Sequence, residues 1–447
     1  MKEWSKEWFL LSAVLLVTLA ASLGILRWLA PQLIGLPVDL RLVKTSESLP
    51  PFYAGVFRHA DYATDELLVS DPVTVTRGRP QFPELATLGP HDILGFRNRE
   101  VPVYADIAVI GDSQTYGNNV ALESNWPNRM MESLVDYQSV TYNMASGGWG
   151  GVQYLEMATK ATSFQPRLLI VAFYTGNDPL ESFRLAYALE QFKDLRPTSD
   201  LGPGDMPVVT YPPPAEKIWR VTFGDGFETI FTPSIRLPAN DDHPVALAGY
   251  GVMANAAREI RRVTRPFGTS VIFTIIPTKE YAFSEKIRLE GIVPPPEFDR
   301  LVSEESKRIA ELAETLRSIP DADYVDVTAP LMAAAVEGLS IYPGNENGHP
   351  IEGGYAVIAD ALAEAARARL PRRVKGLVAV PVSANVRALF LVNSDGAWRF
   401  PGIEHALKNG WSRNQIKIAS FRDLAGLPRH GMLEVVDPGR FGPDAAR

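Results

Sequence analysis

Five short apolar runs, separated by helical patterns, constrain the fold of this 447-residue chain more than any other feature. They are VYADIAVIGDS, SVTYNM, RLLIVAFY, TSVIFTIIP and DADYVDVT. RLLIVAFY is β-branched and aromatic without alternation, the mark of a strand covered on both faces. Helical spacing appears near Asn125–Tyr137, Val152–Thr162, Ala246–Thr264, Glu297–Ser318 and Gly354–Arg369. This alternation predicts an α/β fold, a parallel sheet with helices on both sides. Such sheets bind ligands beyond the carboxyl ends of their strands. The turns that follow the runs are therefore where chemistry is expected.

The first run ends in Gly111-Asp112-Ser113-Gln114-Thr115-Tyr116-Gly117. A serine just past a buried strand can present its hydroxyl at the mouth of the sheet; it can equally cap a helix. Thr115 stands where the G-x-S-x-G elbow of α/β-hydrolases has glycine, so that motif is excluded. The second run leads to Ser146-Gly147-Gly148-Trp149-Gly150. Paired glycines let a backbone N–H approach an oxyanion, and they also make a plain turn. The third ends in Gly176-Asn177-Asp178, where an amide can donate to an oxyanion or form an Asx turn. Far downstream, Tyr342-Pro343-Gly344-Asn345-Glu346-Asn347-Gly348-His349-Pro350 sets an imidazole in a loop before a helix.

Taken in order, these four blocks resemble the SGNH hydrolases, the GDSL-type esterases. Ser113 falls in the family's serine block, with Thr115 and Gly117; Gly148 lies five residues after Asn143; Asn177 sits in a G-N-D block; His349 is followed by Pro350 and Gly354. GFRN at Gly95–Asn98 and IPTKEY at Ile276–Tyr281 are similar to envelope-associated members. The resemblance spans roughly Leu94 to Leu370. It implies a three-layer α/β/α flavodoxin-like sandwich and acyl-oxygen chemistry with no metal and no cofactor. Ser113 would be the nucleophile and His349 its base, with an oxyanion hole from Ser113, Gly148 and Asn177. The family's acid lies two or three residues before the histidine and is usually aspartate. Here those positions hold Asn347 and Glu346. Glu346 is the expected orienting acid, because a carboxylate stabilises an imidazolium; if Asn347 takes the place, the ring is oriented but its charge is not balanced.

Outside these blocks, Trp8 to Leu26 runs nineteen residues without a charge, with tryptophans at 8 and 28. As a helix it would span roughly 28 Å, close to the hydrocarbon thickness. The rival is a cleaved signal peptide, for which TLAAS offers a cleavage site, but signal cores are usually only ~7–15 residues. The expected layout is a cytoplasmic tail over 1–7, a transmembrane helix over 8–28 and a proline-rich stalk and lead-in over 29–93. The SGNH-like domain follows over 94–370, with an inserted lobe about 179–246 marked by PPP at Pro212–Pro214. A β-rich module over 371–447 completes it, with strands at LVAVPVS, VRALFLVN, QIKIAS and MLEVV. The net charge is −8 with basic residues scattered, so no nucleic-acid partner is expected. The absence of cysteine removes disulfides and thiolate chemistry.

The expected protein is a serine esterase of a bacterial inner membrane, its catalytic domain on the periplasmic side, acting on O-acyl, chiefly O-acetyl, groups of an envelope or exported polysaccharide. An O-acetyltransferase using the same site is one alternative. A catalytically inactive scaffold in a membrane complex is the other. The expected partners are an acylated glycan or small ester, the lipid bilayer through residues 8–28, and proteins of such a complex.

Overall fold

The computed structural model describes residues 67–446 apart from 72, 384, 385, 394 and 425. The expected tail, the membrane helix over 8–28 and most of the stalk lie outside the described residues. Among the described residues, no helix is long and apolar enough to cross a membrane. They divide into two compact units, one of residues up to 130 with 141–365, the other of 131–140 with 366 onward.

The first unit opens with a hairpin of β1 (Leu68–Asp71) and β2 (Val75–Gly78). The lead-in is thus folded from Leu68, and two four-residue strands are too short to show as periodicity. Then follow β3 (Ile107–Gly111), α1 (Ser113–Tyr116), α2 (Trp126–Ser133, its last three residues counted with the second unit), β4 (Thr141–Asn143), α3 (Gly151–Ala161), β5 (Leu168–Tyr174) and α4 (Asp178–Ala188). A second hairpin, β6 (Trp219–Thr222) and β7 (Glu228–Phe231), precedes α5 (Pro233–Arg236) and α6 (Pro244–Thr264). The unit continues through β8 (Ser270–Ile276), α7 (Lys279–Leu289), α8 (Pro296–Arg317), β9 (Ala322–Asp326) and α9 (Thr328–Val336). The last helix, α10 (Glu352–Arg367), ends two residues past 365, where the first unit ends.

The central sheet has the order β4-β3-β5-β8-β9, and every pairing is parallel. All five predicted runs are its strands. Every residue of β5 is buried, because helices cover both faces. Leu169, Val171 and Phe173 join one core cluster with Tyr142, Met253 and Ile260, while the alternate residues face the other layer. The chain moves from β3 to β4 on one side, then returns past β3 to β5. That reversal opens a crevice beyond the carboxyl ends of β3 and β5.

Part of the interval expected as an inserted lobe belongs to the layers. Leu180 and Phe183 of α4 share a cluster with Val245 and Val252 of α6. The prolines in the interval obscured this helix, although Pro179 at its first turn favours one.

The second unit holds a mixed five-stranded sheet, β13-β10-β11-β12-β14. Its strands are β10 (Gly376–Ser383), β11 (Val386–Asn393), β12 (Gly396–Phe400), β13 (Lys417–Ile418) and β14 (Arg429–Met432). The strand expected at MLEVV is displaced: β14 ends at Met432, after pairing parallel with β12. Trp398 stacks on His430 at 4.0 Å, a cross-strand contact that fixes the pairing.

Candidate active site

Ser113 is the first residue of α1, directly after β3. Asp112 caps that turn, its Oδ1 accepting from the Gln114 N–H at 2.9 Å. The buried Arg97 of the GFRN block braces the same turn by donating to the carbonyls of Gly89, Tyr116, Gly117 and Val120. Asn98, its neighbour, exchanges bonds with the Asn143 backbone at 2.9 and 3.1 Å. Asn143 in turn donates to the Thr115 carbonyl at 3.0 Å. The serine turn and the chain entering the glycine turn are therefore tied together.

Ser113 Oγ lies 2.8 Å from His349 Nε2, although the two residues are 236 apart in sequence. It also lies 3.2 Å from Asp112 Oδ2, the longer of the two contacts. His349 Nδ1 lies 2.7 Å from Asn347 Oδ1, which also accepts from the His349 backbone N–H at 3.1 Å. The expected orienting acid is displaced: Asn347 holds the ring, and Glu346 is exposed with no hydrogen bond among the described residues. The reason lies in the loop, where the residue two before the histidine folds back on both its N–H groups.

Asn119, which the sequence reading missed, completes the arrangement. Its Nδ2 donates to the His349 carbonyl at 3.2 Å, which turns its Oδ1 toward Asn347 Nδ2, 2.7 Å away. Asn347 must therefore present oxygen to the imidazole. Nδ1 then carries the proton, and the Nε2 lone pair faces the serine hydroxyl. This is the tautomer a general base needs. Asn119 adopts a left-handed φ of 76°, which asparagine tolerates, so the Gly117-Asn118-Asn119 run was the available signal.

The two further oxyanion candidates occupy neighbouring strand ends. Gly148, after β4, has φ 72°, a conformation that favours glycine. Asn177, after β5, starts α4 without a side-chain capping bond. Neither the Gly148 N–H nor the Asn177 amide is engaged in a hydrogen bond among the described residues. A Cβ at Gly147 would stand 3.9 Å from Ser113 Cβ, which sets the glycine turn beside the serine. Free donors near a nucleophile are what oxyanion stabilisation requires.

Lys279 of IPTKEY steadies the histidine loop. Its buried Nζ donates to the Pro343 and Asn345 carbonyls at 2.8 and 2.6 Å, and burial pulls its pKa down to about 8. Glu305, on α8, ties together the ends of β5 and β8. It accepts from Thr175 Oγ1 at 2.6 Å and from the Thr278 N–H at 2.8 Å. Burial pushes Glu305 up to about 7 and Asp112 also up to about 7. Among the described residues no three His, Asp or Glu side chains gather as a metal site.

The raised Glu305 pKa has a signed consequence. Between its ordinary value of 4.5 and about 7, the folded state holds a proton that the unfolded state releases. Stability from this group therefore falls as pH rises through that window. Glu305→Gln, which keeps the acceptor oxygen, should shrink the drop in thermal midpoint between pH 5 and pH 8. An undiminished drop in the variant would contradict the assignment.

A serine–histidine pair at the carboxyl edge of a parallel sheet, with free donors on the adjoining turns, defines a site for acyl transfer. The four blocks of the sequence resemblance thus lie at the carboxyl edge of one parallel sheet or in the loop that meets it. No family model matches the chain, and no curated protein matches it. Among solved structures it is similar to a lipolytic protein of the G-D-S-L family from Desulfitobacterium hafniense, with 10% identity over 58% of this chain and 97% of that one, and a TM-score of 0.32. It is also similar to a GDSL-like lipase from Bacteroides thetaiotaomicron, with 9% identity over 59% and 87%, at a TM-score of 0.31. An acetylxylan esterase from Geobacillus stearothermophilus gives 11% identity over 59% and 95%, also at 0.31.

Proposed function

We propose that this protein is a serine esterase of the SGNH type that removes O-acyl groups, chiefly O-acetyl, from an envelope or exported polysaccharide. The observation that carries the reading is the 2.8 Å contact between Ser113 Oγ and a His349 ring held in the reactive tautomer. Ser113 attacks the ester carbonyl as its proton passes to Nε2. The Ser113 and Gly148 N–H groups and the Asn177 amide hold the oxyanion. His349 returns the proton to the leaving alcohol, and water then releases the acyl group from the serine. A sugar hydroxyl in place of that water would make an O-acetyltransferase.

The envelope location rests on the nineteen uncharged residues from Trp8 to Leu26, read as an anchor over 8–28 with the catalytic unit outside. Asn347 supports a second reading, a scaffold that keeps the fold with a weakened site, because an amide does not balance an imidazolium.

One experiment tests location and activation together. Membranes from cells expressing the full chain are washed in high salt and treated with a fluorophosphonate probe. The full-length protein should remain in the pellet and carry the probe on Ser113. A soluble form beginning near Ser22 would overturn the anchor, and an unlabelled pellet protein would favour the scaffold.

A further inference from the structure

Beside the catalytic pair stands a cation that the proposed mechanism does not use. Arg236, the last residue of α5, is half-buried, and its guanidinium makes no hydrogen bond or ion pair among the described residues. Its Cζ lies 5.9 Å from the Tyr174 ring centroid. The Tyr174 hydroxyl is buried and has no hydrogen-bond partner among the described residues. Both groups border Gly348, the residue before His349. A Cβ there would stand 2.8 Å from Arg236 Nη2 and 3.6 Å from Tyr174 Oη. A Cβ at Gly176, the residue before Asn177, would stand 2.4 Å from the same Oη. Glycines on both flanking turns therefore let Arg236 and Tyr174 pack directly against the backbone beside His349 and Asn177.

The other buried cations here are occupied. Arg97 is spent on four carbonyls and Lys279 on two. The nearby Glu280 accepts from the Thr232 N–H at 2.8 Å and does not form an ion pair with Arg236. A guanidinium left free next to a buried, unsatisfied phenol is a ready anion receptor, because its planar fork matches a carboxylate with two parallel bonds. The chain as a whole carries −8 and repels anions at long range, so an anionic substrate needs a local cation. The place also indicates which half of the ester bears the charge. His349 protonates the leaving alcohol, and Gly348 adjoins His349, so the receptor flanks the alcohol side.

We propose that Arg236 and Tyr174 form an anion subsite, and that the substrate is an acyl ester of an acidic saccharide of the uronate class. This deepens the esterase reading and rests on it. The test separates the two by measuring binding without turnover. Ser113→Ala protein is titrated calorimetrically with O-acetylated glucuronate, its neutral methyl ester, and O-acetylated glucose 6-phosphate. The acid should bind about ten- to a hundredfold more tightly than the methyl ester. Adding Arg236→Gln should erase that preference, and Arg236→Lys should keep part of it, with unfolding midpoints confirming that both variants fold. Tighter binding of the phosphate, also lost with Arg236→Gln, would keep the anion subsite and assign it to a phosphorylated sugar. Equal binding of acid and methyl ester by the Arg236 protein overturns the proposal. An acid preference in a protein whose Ser113 form lacks turnover leaves the subsite standing and removes the esterase.

Discussion

Replacing Ser113 with alanine should lower the turnover of p-nitrophenyl acetate by about 10⁴-fold or more, while the unfolding midpoint moves by no more than a few degrees. The first expectation follows from the mechanism, since Ser113 Oγ is the hydroxyl that stands 2.8 Å from His349 Nε2. The second follows from the position. Ser113 is only partly buried, and α1 is capped by the Asp112 side chain rather than by the serine. Losing Oγ leaves the cap intact and removes a contact that serves the reaction, not the fold. Steady-state kinetics with calorimetry on both proteins checks the pair of outcomes. Equal turnover by the two proteins would remove Ser113 from the chemistry, whatever the stability result.

The second large effect is a gain. Asn347→Asp should raise kcat, by about ten- to a thousandfold. In a serine triad, exchanging the aspartate for asparagine costs ~10⁴, partly because the amide selects the wrong tautomer. Here Asn119 already forces the Asn347 oxygen toward Nδ1, so the tautomer component is not lost. What remains to be recovered is the electrostatic part, a negative charge beside an imidazolium that forms as the serine attacks. The new carboxylate would also face Asn119 Oδ1, which must rotate and give up its 3.2 Å bond to the His349 carbonyl. That cost keeps the expected gain below the full factor. Glu346→Gln should change kcat by less than about twofold, because Glu346 is exposed and does not bond the ring. Kinetics on the two single variants distinguishes the alternatives. A large loss in Glu346→Gln would restore the glutamate as the acid. No Ser113-dependent turnover in either the natural protein or Asn347→Asp would leave the scaffold reading.

The parallel sheet was readable because its strands are buried on both faces, so runs such as RLLIVAFY carry their signal in composition alone. The order of the four blocks was readable for a related reason. In such a sheet every strand end points to the same edge, so motifs far apart in the chain converge. Sequence therefore determined the fold class, the serine and histidine, and the turns that carry the free donors.

Which side chain orients His349 was decided only in three dimensions. Glu346 and Asn347 are adjacent, and chemical preference favoured the carboxylate. The choice depends on how the loop folds back on its own N–H groups, and on Asn119, which stands 228 residues away from Asn347. The same holds for Arg97, Lys279, Glu305 and Arg236. Each is an ordinary charged residue in the sequence, and its role comes from the carbonyls, hydroxyls or aromatic ring that meet it after folding. Local pattern encodes secondary structure because its period is short. Partners across the fold leave no period, so only the tertiary structure reveals which polar groups are satisfied and which remain free for a substrate.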